Sequence, residues 1–279
     1  MKNLTELFNE NDGKRAIGSF NVHCLEMLPA MIEGAKELNV PIIIQTSPGT
    51  AEYIGLDLLV SSIQTLSERN NVDVCLHMDH CTDIQVIKRA IDTGYTSVMY
   101  DGSSLPLEEN IKNTQEVVAY AKERSVSVEG EVGAIGGAED GIVVSEEEAI
   151  YTDPKDAYQF VRETKVDAIA VAIGTAHGLY NSKAKLNFQL LEELADNLNN
   201  VGLVLHGGTG VSEADMKKCV ALGMKKVNVG TELNKSYIDN VNHAFSQATP
   251  LTSLRKLFIP ANQHIKEIVK EKSELFQLV

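Results

Sequence analysis

Eight short apolar runs recur along the chain, each ending in small or polar residues before a segment with helical periodicity. They are Ala16–Val22, Pro41–Ser47, Val72–His80, Ser97–Ser103, Val126–Gly133, Ala168–Gly174, Gly202–Gly208 and Lys226–Glu232. Between them lie helical readings such as Leu25–Leu38, Asp83–Thr93, Leu107–Glu123, Pro154–Thr164, Phe188–Asn197 and Ser212–Leu222. Nearly continuous apolar strands alternating with helices pair in parallel and are covered on both faces. Eight such units predict an α/β protein with a (β/α)8 TIM barrel, and a doubly wound open sheet is the alternative. Leu4, Leu7 and Phe8 add a short amphipathic helix, stopped by Asn11-Asp12-Gly13. No Pro- or Ser-rich linker interrupts the pattern, so residues 1–279 read as a single domain with extra helices at its termini.

One connection is long. Ala134–Thr152 carries Gly136, Gly137 and Gly141 and the acidic run Glu146-Glu147-Glu148. A segment of this length predicts a mobile active-site loop over about 134–152, with a solvated acidic loop as the plainer reading.

Composition narrows the function. The chain is 43% hydrophobic with 5% aromatics and no Trp, so its core is aliphatic. A net charge of -14 disfavours nucleic acid and anionic membranes as partners. A site for an anion must then build its own positive charge from a metal, an Arg or helix N-termini. Cys24, Cys75, Cys81 and Cys219 are scattered without a C-x-x-C and read as reduced thiols. The polar N-terminus does not resemble a signal peptide, and no apolar run approaches the ~20 residues of a membrane span. A cytoplasmic protein is expected.

In a barrel, the strand C-termini and following loops form one rim, where active sites lie. Collected there are Asn21, His23, Ser47, Asp79, His80, Asp101, Glu129, Glu131, His177, His206, Asn228, Thr231 and Glu232. Three of the seven histidines fall on the third, sixth and seventh strands, and three imidazoles with an open fourth position suit catalytic Zn²⁺. Adjacent strand residues point to opposite faces, so Asp79 and His80 share a site only if the strand turns between them. Glu129 and Glu131 point the same way, and one of them could orient a ligand histidine. Beyond the seventh strand, His206-Gly207-Gly208-Thr209-Gly210 leads into a helix start, and the eighth ends Asn228-Val229-Gly230-Thr231. Exposed backbone N–H groups, hydroxyls and helix N-termini at that position predict phosphate binding.

With these residues lined up, the sequence resembles the class II (zinc-dependent) ketose-bisphosphate aldolases, nearest to the tagatose-bisphosphate branch. The likeness rests on LHMDHC (76–81), SVEGEVGAIGGAEDG (127–141), AVAIGTAHGLY (170–180), LVLHGGTG (203–210) and KVNVGTEL (226–233). It implies that His80, His177 and His206 bind one Zn²⁺, that Asp79 handles the C4 hydroxyl proton, and that Glu139 moves the proton at C3. It further implies that Asn21, Ser47 and Asn228 contact the substrate, and that Gly178, Gly207, Gly208, Thr209, Gly230 and Thr231 surround one phosphate. A monovalent cation, Na⁺ or K⁺, would fit beside that phosphate. Arg255 would bind the second phosphate across the subunit boundary of a homo-oligomer, a dimer or tetramer. Asp101, Glu129 and Glu131 would support the metal or offer it an alternate position. The implied substrate is a small-molecule sugar phosphate, cleaved to dihydroxyacetone phosphate and glyceraldehyde 3-phosphate. A separate non-catalytic partner subunit is compatible with the resemblance.

Some positions depart from the family pattern. Cys24 stands where many relatives have Asn, Gly230 replaces an Asn or Asp, and Ser253-Leu254 replaces Asp-Pro before Arg255. SPGT at 47–50 resembles the tagatose-type TPGT. The sugar and its distal anion stay open on these grounds, with fructose bisphosphate or a ketose carrying another anion as alternatives. A Schiff-base aldolase would need a Lys at a strand's C-terminal end, whereas Lys226 opens its strand. A non-catalytic scaffold is the remaining reading.

Overall fold

Eight parallel strands close into a barrel in the computed structural model. It describes residues 1–11, 15–139, 142–144, 151–178, 184–247 and 253–277, with backbone alone at 136–139, 142–144 and 177. In chain order the strands are β1 (Ile17–Asn21), β2 (Ile42–Thr46), β3 (Val74–Cys81), β4 (Ser97–Tyr100), β5 (Ser127–Val132) and β6 (Gly136–Glu139). β7 (Ile142–Val144), β8 (Ala168–Val171), β9 (Ala176–His177), β10 (Gly202–Leu205) and β11 (Met224–Val229) complete them. The barrel runs β1-β11-β10-β8-β5-β4-β3-β2, and β7-β6-β9 form a separate three-stranded sheet. The expected (β/α)8 barrel is therefore the fold, and the open sheet is excluded.

The helices are α1 (Leu4–Glu10), α2 (Leu28–Leu38), α3 (Pro48–Ile54), α4 (Leu56–Asn70), α5 (Ile84–Thr93) and α6 (Leu107–Lys122). They continue as α7 (Pro154–Thr164), α8 (Phe188–Asn197), α9 (Glu213–Ala221), α10 (Thr231–Gln247) and α11 (Arg255–Leu275). Ser47, Asp83, Asp153, Asn187 and Ser212 cap their helices, each side chain accepting a first-turn N–H that has no partner within the helix. The reading Leu25–Leu38 divides into a 3-10 turn at Leu25–Met27 and α2, with Pro29 in the first turn, where its missing N–H costs nothing. No helix among the described residues is long and apolar enough to cross a membrane.

The period of two along each strand sorts the interior into levels. At the N-terminal end Ile17, Ile43, Cys75, Ala168, Ala170 and Val204 pack with Leu4 and Leu7, so α1 plugs this end of the barrel. Two residues further along the same strands stand Ser19, Gln45, His77 and His206, all buried. Glu129 and Lys226 share this buried polar zone, and Asn21, Asp79, Glu131 and Asn228 lie towards the strand tips. The outward set, including Phe20, Ile42, Ile44, Leu76, Met78 and Val227, packs under the helices in a second, larger apolar cluster.

Within the long connection the described residues include two short strands. β6 and β7 pair antiparallel, with Glu139 opposite Ile142, and β6 pairs in parallel with β9, with Gly137 opposite His177. Residues 140–141 and 145–150 lie outside the described residues.

Candidate active site

The strand that ends in Asp79-His80 solves its own geometric problem. His77 and Asp79 point into the barrel as alternation requires, and His80 would face away. Its backbone instead adopts a left-handed φ of 47°, and the β3–β4 register shifts between Met78 and Cys81. A bulge of this kind re-aims a side chain at the cost of local strain, and such strain concentrates at functional sites. Ligand atoms of Asp79, His80 and His206 consequently fall within 4.8 Å of one another. The His80 and His206 rings meet edge to face with centroids 4.6 Å apart.

A carboxylate engages each of these rings. His80 Nδ1 lies 2.8 Å from Asp101 Oδ2, while Asp101 Oδ1 accepts from Ser103 N and Oγ. His206 Nε2 lies 2.8 Å from Glu129 Oε1, and its Nδ1 is 3.6 Å from Glu131 Oε2. Burial opposes charge on every group here, and the neighbours decide the outcome. Burial would lower the His80 imidazole, but Asp79, Asp101 and Glu131 hold it well above its usual value. Burial, with His80 adding to it, pushes His206 down to about 4. Burial drives Glu131 well above the carboxylate range, and Asp101 adds to that. Glu129 is held down to about 2, because Lys226, His206 and His77 overcome its burial.

Asp79 is enclosed by donors. Gln45 Nε2 donates to its Oδ2 at 2.8 Å and also to Asn21 Oδ1 at 2.7 Å, and the Ser19 hydroxyl donates to Gln45 Oε1. Asn228 Nδ2 lies 3.2 Å from Asp79 Oδ2 and 3.4 Å from Oδ1. Burial would raise the Asp79 carboxyl, but His80, Lys226 and His77 hold it well below the usual range. The group is thus an anion that can only accept a proton.

The remaining expected residues are distributed around this centre. Ser47 caps α3, Gly230 precedes α10, and Thr231 opens it. Gly207 has φ 65°, and a Cβ there would meet Ala176 O at 2.3 Å. Gly208 backs onto Asn228 O, which a Cβ would approach to 2.8 Å. Glycine is required at both for the β10 loop to lie against the neighbouring backbone. Thr209 is half-buried in the same loop, and Gly178 has φ 87° just after β9. Arg255 opens α11 on an exposed turn. The side chains of His177 and Glu139 lie outside the described residues, although the backbones of both belong to the β7-β6-β9 sheet.

Gln45, Ser19, His77 and Lys226 were missed in the strand-tip reading because they sit one level below the tips. A signal existed for one of them: Gln45 interrupts the apolar run PIIIQTS.

A family profile described as "Fructose-bisphosphate aldolase class-II" matches residues 2–279. The chain belongs to the class II fructose-bisphosphate aldolase family. It is accordingly an aldolase, a lyase of carbon–carbon bonds. A fructose-bisphosphate aldolase of Staphylococcus aureus is 38% identical over 273 residues, covering 97% of this chain and 94% of that one. The crystal structure of the YdjI aldolase from Escherichia coli superposes with a TM-score of 0.85 at 31% identity, over 99% of this chain and 97% of the other. The fructose-bisphosphate aldolase of Campylobacter jejuni, at 23% identity, shares the fold with a TM-score of 0.81, over 99% and 95% of the two chains. Class II aldolases require a divalent metal such as zinc. The His80 and His206 imidazoles, with ligand atoms within 4.8 Å of each other and the Asp79 carboxylate beside them, are nitrogen donors of the right chemistry for that ion.

Proposed function

We infer that this aldolase cleaves a ketose 1,6-bisphosphate to dihydroxyacetone phosphate and glyceraldehyde 3-phosphate, and runs the reverse condensation. The observation that carries the reading is the Asp79 carboxylate, fixed as a proton acceptor by Gln45 and Asn228 beside His80 and His206. His80, His177 and His206 would hold one Zn²⁺ per subunit. Asp101 on His80 Nδ1 and Glu129 on His206 Nε2 support coordination through His80 Nε2 and His206 Nδ1. When bound, the ion supplies Lewis acidity that holds negative charge developing on substrate oxygens.

Asp79 takes the proton of the C4 hydroxyl, and the C3–C4 bond breaks as C4 becomes the aldehyde carbon of glyceraldehyde 3-phosphate. The bonding pair stays on the three-carbon fragment, where Glu139 returns a proton to C3 as the loop over 134–152 closes and keeps water out. Asn21, Ser47 and Asn228 orient the ketose. Gly178, Gly207, Gly208, Thr209, Gly230 and Thr231 form the cradle for one phosphate, with Na⁺ or K⁺ beside it, and the α10 N-terminus adds its dipole. Arg255 takes the distal anion, supplied across the interface of a homo-oligomer in a cytoplasmic enzyme.

Two sugars compete for the site. The Staphylococcus aureus relative favours the fructose epimer, and the SPGT segment at 47–50 favours the tagatose epimer. A cleavage panel of the two bisphosphates, with and without added zinc and after chelation, decides between them. Zinc-dependent cleavage of either supports the reading. Cleavage of neither, or cleavage that survives chelation and is trapped by borohydride, contradicts it.

A further inference from the structure

Lys226 is 0% exposed, and among the described residues it is the one lysine or arginine in the buried set. An ammonium taken out of water at this depth is costly unless its donors are met. All its near partners come from the floor of the site. Nζ lies 2.9 Å from Glu129 Oε2, 3.5 Å from His77 Nε2 and 3.9 Å from Asp79 Oδ1. His77, Asp79 and Glu129 place their ligand atoms within 4.8 Å of one another, the spacing of a cation site. The ammonium stands against all three and is the cation of that cluster. His77 is itself anchored, with Nδ1 2.8 Å from Ser97 Oγ.

Glu129 links this lower cluster to the upper one. Its Oε2 receives Lys226, and its Oε1 faces His206 Nε2 at 2.8 Å. An ionised carboxylate only accepts, so the proton of that contact resides on His206 Nε2, and Nδ1 is the basic nitrogen. The carboxylate is planar. Holding one oxygen on the lysine therefore fixes the plane in which the other meets the imidazole.

We propose that Lys226 is a tethered cation that positions the metal centre from below, acting through Glu129 to set the tautomer and ring orientation of His206. This rests on the reading of His206 as a metal ligand. The side chain never touches the substrate or the ion; it is a positioning residue. Without the ammonium, Glu129 Oε2 loses its 2.9 Å partner, and the carboxylate plane that meets His206 is no longer held.

The test is titration of the chelated full-length chain with Co²⁺, read by visible absorption and by metal analysis, alongside circular dichroism and thermal melting. Three variants are compared with the parent: Lys226→Met, the double variant Lys226→Met with Glu129→Leu, and His206→Ala. Lys226→Met is expected to keep the native spectrum and lose at least about 10-fold in Co²⁺ affinity, the scale of lost outer-sphere support. Removing both charges relieves the stranded carboxylate, so the double variant should melt at a higher temperature than Lys226→Met while its affinity stays low. Parental affinity in Lys226→Met overturns the proposal. So does parental affinity in the double variant, which also gives the answer if the single variant does not fold, because the pair would then serve folding alone. His206→Ala separates the two layers of inference. Parental affinity there overturns the ligand reading itself, whereas lost affinity there with tight binding by Lys226→Met overturns the relay alone.

Discussion

The two ends of the barrel interior are built from the same strands by opposite rules. At the end plugged by α1, Ile17, Ile43, Cys75, Ala168, Ala170 and Val204 close on Leu4 and Leu7 without a charge among them. From the next level upward Glu129, Lys226, Asp79, Glu131 and His206 are all buried as well, yet they pair with one another through charged and polar groups. The lower end gains stability from apolar area removed from water. The upper end gathers carboxylates and imidazoles whose desolvation opposes folding and is offset only by mutual pairing. One end holds the fold, and the other stores a reactive arrangement on it.

Substitutions at the two ends should therefore separate activity from stability. The largest kinetic effect belongs to His206→Ala, expected to remove bound metal and to lower kcat/KM by at least about 1,000-fold, on the scale of losing electrostatic stabilisation of the transition state. Metal analysis and cleavage assays on one preparation check it, and full activity with metal retained would break the comparison. Next is Asp79→Asn, which keeps the shape and removes the proton acceptor. It should lower kcat by about 100- to 10,000-fold while metal content stays unchanged. Its melting temperature should hold or rise, because a buried anion is removed. At the other end, Leu7→Ala should cost about 2–5 kcal/mol of stability by leaving a cavity under the plug. Well below its lowered Tm, its kcat should match the parent, and a matched loss of kcat would show that the plug also shapes the site.

A smaller effect concerns pH. Burial opposes the charge on His80, but Asp79, Asp101 and Glu131 raise its pKa well above the usual value, so the metal-free chain keeps a proton there to higher pH than a free imidazole does. A metal must displace that proton, so affinity should fall as pH is lowered from 8 to 6, with about one proton released per ion. Calorimetry in buffers of different ionisation enthalpy measures the release, and pH-independent affinity would contradict the ordering of these charges.

The barrel was legible from the sequence because parallel strands buried on both faces are written as apolar runs with short polar ends. The tips were legible for the same reason, since Asp79, His80, Asp101 and His206 all stand where a run stops. What the runs concealed was depth. Gln45, His77 and Lys226 lie inside strands, where polarity looks like noise until alternation places each under a tip residue. Lys226 was set aside as the residue that opens its strand, but β11 begins at Met224 and Lys226 stands two residues inside it, beneath Asp79 and Glu129. His80 was a genuine conflict, as strict alternation sends it out of the barrel. Only a left-handed backbone at a bulge brings it in, and no residue preference at His80-Cys81 announces that turn. Pairing of β6 with β9 was equally hidden, because Gly136 and Gly137 carry no strand signal.

The most direct test of the account is diffraction from crystals of the zinc-loaded chain, collected at the zinc absorption edge. The account predicts one anomalous peak per subunit, about 2.0–2.1 Å from His80 Nε2, His206 Nδ1 and a ring nitrogen of His177. A peak elsewhere, or three rings standing too far apart to share one ion, would contradict it.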